Sequence, residues 1–312
     1  MRLVRIAVVG CAHSSLDMIY SAIRNDVAHS RKMPQLLLVN GDFQATRDRD
    51  DLDSLSCPPK YRRFGDFKDY YLGKKEAPVL TLFIGGNHES SRYLSLLKFG
   101  GFVAKNIYYL GKSNVLWFNG LKIAAISGIF NDRDYMKNDF ESFPLNQSHL
   151  RSVYHTRKLD YLKLLIYNQL ILSNNKINNS INPNDPNDPN DSNNPNKQNT
   201  HLDIMLSHDW PQSIEQHGNL NRLLKLKPFF KSDISNNNLG SPLNLNLLKI
   251  LKPKNWYSAH LHVKFDATFL HSNKNKLLNQ NITKNDNEYK RRKLDADTKI
   301  ENNDEIKLNL LN

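Results

Sequence analysis

The sequence predicts an α/β fold built in layers, with mixed β-sheets sandwiched by helices, and three observations predict it. Short apolar runs punctuated by Gly or Asn read as strands. In chain order they are Val4–Val9, Leu36–Val39, Val79–Ile84, Val115–Phe118, Leu121–Ile126, Asp203–Leu206, Trp256–Ala259 and Val263–Phe269. Helically spaced apolar residues lie between them, over Leu16–Ala28, Ser90–Lys98, Leu150–Leu172 and Pro242–Leu251. Strands interleaved with helices favour a layered arrangement. Asn119-Gly120 between two adjacent runs is a strong type I′ hairpin signal, so the sheets are expected to be mixed. Ser241-Pro242 resembles an N-cap followed by Pro at the first helical position, which starts the last helix.

The 312 residues suffice for one large α/β domain or two small ones. A hydrophobic fraction of 39% is low for such a fold, but the deficit is local. Asn-rich segments between Leu172 and His201 and after His271 dilute the average. Residues 173–200 contain consecutive Pro-Asn-Asp units over Pro183–Asp191 and read as a disordered insertion. A domain over residues 1–270 tolerates it because loop-closure cost grows slowly with length. Residues 271–312 read as a polar, disordered C-terminal tail, in which Lys290-Arg291-Arg292-Lys293 is either a nuclear-import patch or a solvated charge run.

The formal net charge is +12, and the tail holds nine Lys/Arg against seven Asp/Glu, leaving about +10 on the folded part. That surplus fits a polyanionic partner, or simply a soluble basic surface. Cys11 and Cys57 are the only cysteines, which implies no disulfide framework. No apolar run approaches the roughly 20 residues that span a bilayer. The apolar start after Met1 is too short for a leader and runs straight into Gly10-Cys11-Ala12-His13, so an intracellular protein is expected.

Chemistry enters with the residues that follow the strand-like runs. Gly10-Cys11-Ala12-His13, Asn40-Gly41-Asp42, Gly85-Gly86-Asn87-His88-Glu89, Ser207-His208-Asp209 and His260-Leu261-His262 each lie at a carboxyl end, where α/β sheets assemble their sites. A single histidine there would usually be structural. Five, converging with Cys11, Asp42 and Asn87, point to a metal centre. The ligands are too many for one tetrahedral ion, and a dinuclear arrangement with Asp42 bridging shares them sensibly. Two cations can clamp a phosphate oxygen and hold hydroxide near neutral pH. No Gly-rich nucleotide loop and no nucleophile elbow appears, so hydrolysis by activated water fits better than a covalent intermediate.

Asp42 in Gly-Asp, Gly86-Asn87-His88-Glu89, Ser207-His208 and His260-Leu261-His262 resemble the calcineurin-like metallophosphoesterase superfamily. That superfamily normally opens with Asp-x-His, whereas this chain has Cys11-Ala12-His13, which is similar to the lariat-debranching enzymes. Pro58–Arg62, Ala77–Glu89, Asn106–Gly111, Ser127–Phe130, Leu206–Pro211 and Trp256–Phe265 extend that resemblance over residues 1–270 apart from the insertion. It implies a metallophosphoesterase catalytic domain holding two divalent ions. One would be held by Cys11, His13, Asp42 and His262, the other by Asp42, Asn87, His208 and His260. A thiolate ligand shifts metal choice toward Zn2+ or Fe2+, with Mn2+ a further candidate, and away from Mg2+.

His88 resembles the family's general acid, with a histidine that merely orients a ligand as the alternative. Residues 130–158 resemble a lariat-recognition segment. Within it Arg133, Lys137 and Arg157 would grip phosphates while Tyr135 and Tyr154 stack on splayed bases, with His155 a further candidate contact, the alternative for any one of them being a surface helix charge or a core tyrosine. Lys60-Tyr61-Arg62-Arg63 is a second, weaker strip of the same kind. The resemblance implies a hydrolase cutting the 2′–5′ phosphodiester of excised intron lariats, with branched RNA as partner, no membrane, no obligate protein partner, and a nuclear or also cytoplasmic location. A phosphatase for phosphoproteins or nucleotides, and a non-catalytic adaptor keeping the fold, are the alternatives.

Overall fold

A computed structural model of the chain describes residues 3–30, 32–167, 169, 202–271 and 305–310. The segment 173–200 and the run Lys290–Lys293 lie outside the described residues. The first sheet comprises β1 (Ile6–Val9), β2 (Leu36–Val39), β3 (Thr81–Phe83), β4 (Gly101–Ala104) and β5 (Ile107–Tyr109), in the order β1-β2-β3-β5-β4. Its first four neighbours in that order pair in parallel, and β4 closes the edge antiparallel to β5. The second sheet comprises β6 (Ser113–Phe118), β7 (Leu121–Ile126), β8 (Ile204–Ser207), β9 (Asn255–Ser258), β10 (Phe265–Leu270) and β11 (Glu305–Leu310), in the order β10-β11-β9-β8-β7-β6. Both sheets are mixed, as predicted.

The period of the strands explains the layers. In β2, Leu36 and Leu38 join Leu82, Ile123, Ala125, Ile204 and Leu206 in a cluster between the two sheets. The intervening Leu37 and Val39 join the opposite cluster, where Leu16, Ile19, Tyr20 and Ile23 of the helix Leu16–Ser30 pack on the first sheet. In β7 and β8, Ala124, Ile126 and Met205 turn the other way, against Leu247, Leu248 and Leu251 of the helix Pro242–Leu251. Successive side chains alternate faces, so strands apolar throughout can fill two interfaces at once. Helix, sheet, sheet, helix is the resulting stack.

The hairpin forms where expected: Phe118 pairs with Leu121 around Asn119 and Gly120, whose φ values are +47° and +85°. Ser241 caps the last helix by accepting from the Asn244 N–H, with Pro242 at the first turn. Two expectations need correction. The helix predicted over Leu150–Leu172 runs through 158–167, because a 3-10 turn at His149–Arg151 and a bridge of Ile129 to His155 occupy its first part. The tail is not structureless throughout, since residues 305–310 return as β11, parallel to β9 and antiparallel to β10. The alternation Ile306, Leu308, Leu310 is a strand signal that the polar surroundings hide. No helix among the described residues is long and apolar enough to cross a membrane.

Candidate metal centre

Five loops at the carboxyl ends of β1, β2, β3, β8 and β9 meet at the rim shared by the two sheets. The backbone bends sharply there: His13, Asp42, His260 and His262 have φ of +44°, +45°, +67° and +48°. A left-handed conformation costs a non-glycine residue about 1–3 kcal/mol and clusters where a site requires it. Its presence at four of the predicted ligands ties the strain to the site. Neighbouring packing holds it. Phe43 follows Asp42, is fully buried, and stacks on Phe83 of β3 with 3.9 Å between centroids.

The ligand atoms of Cys11, His13, Asp42 and His262 all lie within 4.8 Å of one another. His13 Nε2 is 3.4 Å from His262 Nε2 and 3.8 Å from Asp42 Oδ2. On the other side of Asp42, Oδ1 lies 3.4 Å from His208 Nε2, which is 3.1 Å from Asn87 Oδ1. The His260 ring is 5.0 Å from that of His208. Every predicted ligand is therefore brought to one place, in two groups that share Asp42.

Whether cations fit is decided by where the protons are. The Asn40 carbonyl accepts from His208 Nδ1–H at 2.7 Å. In that tautomer Nε2 presents a lone pair to the oxygens of Asn87 and Asp42, so three acceptors face one another with no proton between them. A cation satisfies that convergence. The acid–base balance agrees. Burial, reinforced by the neighbouring His208, lowers His260 to about 4, so its imidazole is neutral and free to ligate. Burial and then the charge of Asp42 push the Cys11 thiol up, and a bound cation would have to displace its proton. Burial works to raise Asp42, but His208, His88 and the His88 backbone N–H outweigh it and hold the carboxyl below its usual range.

A family profile described as calcineurin-like phosphoesterase matches residues 4–264, a span that includes every one of these ligands. This chain belongs to the calcineurin-like phosphoesterase family. Membership implies divalent metal ions, in keeping with the cluster around Asp42. The chain is also similar to proteins named lariat debranching enzyme. It is 44% identical over 268 residues to that of Schizosaccharomyces pombe, covering 86% of this chain and 50% of the other. It is 45% identical over 272 residues to that of Homo sapiens, covering 87% and 44%. The figures for Saccharomyces cerevisiae are 43% over 277 residues, 87% and 60%. The chain thus spans about half the length of the curated relatives it matches.

Three residues of this chain whose importance the motif alone did not assign hold the ligand loops. Glu89, fully buried, accepts from Phe43 N–H at 2.6 Å, Gln44 N–H at 2.8 Å and Gly86 N–H at 3.0 Å, joining the Asp42 loop to the Asn87 loop. Burial, then the charge of Asp42, raises it to about 8 against those donors. Gly86 permits the close approach, since a Cβ there would meet Asp42 Oδ1 at 2.3 Å. Asn40 contributes only a carbonyl, which no side-chain pattern reveals. His88 lies beside the centre, its ring 6.1 Å from that of His13, and the Ser56 carbonyl accepts from its Nδ1–H at 3.1 Å. Trp210 is fully buried and stacks on Phe265, and its Nε1–H donates to the Ala259 carbonyl before His260.

The segment 130–158 adjoins the centre, because Phe130 N–H donates to Oδ2 of Asp209, next to His208. Its residues divide. Arg133 and Lys137 are exposed and Tyr154 is half-buried, while Tyr135 packs between Phe130 and Tyr161. Arg157 and His155 depart from the expected RNA-facing role. Arg157 is 2% exposed and pairs with Glu141, while donating to the carbonyls of Asp134 and Ser152. His155 is buried against Asp134 at 2.7 Å. A buried guanidinium must be satisfied internally, so these side chains hold the segment in shape.

Proposed function

We propose that this chain hydrolyses the 2′–5′ phosphodiester at the branch of excised intron lariats, converting them to linear RNA for turnover. One observation carries the reading: the thiol of Cys11 stands where the superfamily normally has aspartate, inside the four-ligand cluster. The similarity to lariat debranching enzymes supports it.

The proposed cofactors are two divalent ions sharing Asp42, with Zn2+ or Fe2+ favoured by the thiolate and Mn2+ a further candidate. When bound, they supply Lewis acidity toward the phosphate and acidify water. The chain's own residues do the rest. Asp42 stays charged between the two ligand groups, aimed by the His88 N–H at 2.8 Å. His88 donates Nδ1–H to the Ser56 carbonyl, and in its imidazolium form it carries a second proton on Nε2, which it would give to the departing 2′-oxygen. Arg133, Lys137 and Tyr154, accessible on the adjoining segment, suit phosphates and an unstacked base of branched RNA. The nucleus, and also the cytoplasm, is the proposed location, following the substrate.

The deciding experiment incubates metal-loaded protein with a synthetic branched RNA and a linear 3′–5′ control. Consumption of the branch with the control intact is expected. Hydrolysis of a phosphomonoester or nucleotide with the branch untouched would overturn the reading, as would protein that neither holds metal nor cuts any ester.

A further inference from the structure

The loop over residues 57–65 forms a ridge between two depressions. On one side a cavity of about 650 Å3 has His13 and His88 on one wall and Tyr61, Arg63 and Phe64 on the other. On the other side a cavity of about 310 Å3 shares Cys57 and Pro58 with the first and is lined by Arg62 and Arg151. The ridge thus runs from the metal centre to the 130–158 segment.

Its surface combines rings and cations. Tyr61 and Phe64 are 56% and 45% exposed beside the polar wall that His13 and His88 form. Lys60 Nζ lies 4.8 Å from the Tyr61 ring and Lys68 Nζ 5.2 Å from the Phe64 ring. Among the described residues, Lys60, Arg63 and Arg151 form no salt bridge, whereas Arg62 is committed to Asp53 at 3.8 Å and to the Cys57 carbonyl at 3.1 Å.

The ridge is also fixed relative to the centre. Asp66 N–H donates to the Ser14 carbonyl at 3.1 Å, and the Asp66 carboxylate accepts from Leu16 and Asp17 at 2.9 and 2.6 Å. Gly65 passes so close that a Cβ there would meet Ser14 Oγ at 2.2 Å. Ser14 follows His13, so any ligand lying on the ridge is held in register with the ligands of the centre.

Cations without acidic partners, alternating with exposed rings, match the phosphates and π-faces of an unpaired nucleic acid strand. We propose that the ridge seats a single-stranded RNA arm leaving the scissile phosphate. Bases stack on Tyr61 and Phe64, phosphates pair with Lys60 and Arg63, and Arg151 in the smaller cavity meets the phosphate of a diverging arm. This assignment rests on the debranching reading for the nature of the arm, and its test separates the two.

Binding of a short unbranched RNA to the full chain, read by fluorescence anisotropy, needs no cleavage. The double variant Tyr61→Ala/Phe64→Ala is expected to bind about tenfold more weakly or worse. Tyr61→Phe, which keeps the ring, is expected to bind as the wild type does. Lys60→Ala and Arg63→Ala should each lower the slope of log affinity against log salt by about 0.7. With branched RNA, extending an arm from one to four nucleotides should lower KM for the wild type but not for the double variant. RNA binding that depends on the rings, together with an uncut branch, would sink the debranching reading and leave the ridge standing. A cut branch, with the double variant unchanged in affinity and arm-length dependence, would overturn the ridge. So would equal losses in Tyr61→Phe and Tyr61→Ala.

Discussion

The backbone N–H of His88 donates to Asp42 Oδ1 at 2.8 Å, so the loop after β3 aims the carboxylate that both ligand groups share. Asp42 follows β2, the parallel neighbour of β3. The centre is thus assembled by strand pairing and then trimmed by individual hydrogen bonds.

Glu89 joins the two loops through three backbone donors and touches no predicted metal position. Glu89→Gln conserves shape but puts an NH2, which cannot accept, in place of one of the two carboxyl oxygens that those backbone donors use. Metal affinity should fall by about 10–100-fold, the usual cost of disturbing groups that orient ligands. Titration of metal-free protein with Zn2+ measures this. Unchanged affinity would show that the loops hold their positions without the clamp.

The His88 side chain has its Nδ1–H on the Ser56 carbonyl, and its hydrogen bond to Asp42 comes from the backbone N–H, which alanine keeps. His88→Ala should therefore retain bound metal while kcat on branched RNA drops by about 10²–10⁴. Metal analysis beside single-turnover kinetics separates the two. Wild-type turnover would sink the acid role, and lost metal would reassign His88 to orienting a ligand.

Arg157 is buried with Glu141, which is itself 2% exposed at its side chain. Arg157→Met strands a buried carboxylate, and breaking such a pair typically costs about 3–5 kcal/mol. Urea denaturation should show a loss of that order, and limited proteolysis should cut within residues 130–158 faster than in the wild type. A loss below 1 kcal/mol would mean that the segment holds together by its apolar contacts.

Asp139 ties the same segment to the sheets through Lys112 and Lys98. Burial works to raise its pKa, but the two ammonium groups outweigh it and hold the carboxyl below the usual range. A folded pKa below the unfolded one means that the unfolded chain binds the proton first as pH falls. The contribution is complete above the unfolded value of about 3.9 and vanishes as pH drops through the folded one. Melting temperatures of wild type and Asp139→Asn should thus differ at pH 6 and converge toward pH 3. A constant difference would refute the linkage.

How much of this was legible varied with the physics. Leu36–Val39 and Leu121–Ile126 match the observed strands residue for residue, because a run buried on both faces is almost wholly apolar, Lys122 standing at the less buried start of the second. The five-residue helices Arg49–Asp53 and Phe67–Tyr71 escaped prediction, as did the short strands β4 and β5. A segment shorter than two helical turns displays no period, and such pieces are stabilised by what they pack against. Arg157 was misjudged for a related reason. In a string of charges it reads as surface, and only Glu141, sixteen residues away, makes its burial tolerable.

From residue order came the layered α/β plan, the hairpin, and the kinds of side chain waiting at the strand ends, because alternation, turn chemistry and ligand type are properties of neighbours along the chain. Only the folded arrangement showed that His208 and Asn87, 121 positions apart, face each other across 3.1 Å. It alone showed that Glu89 clasps two loops and that the 57–65 ridge stands beside His13. Those relations depend on backbone hydrogen bonds between distant strands, whose donors and acceptors are the same for every residue and so leave no trace in side-chain identity.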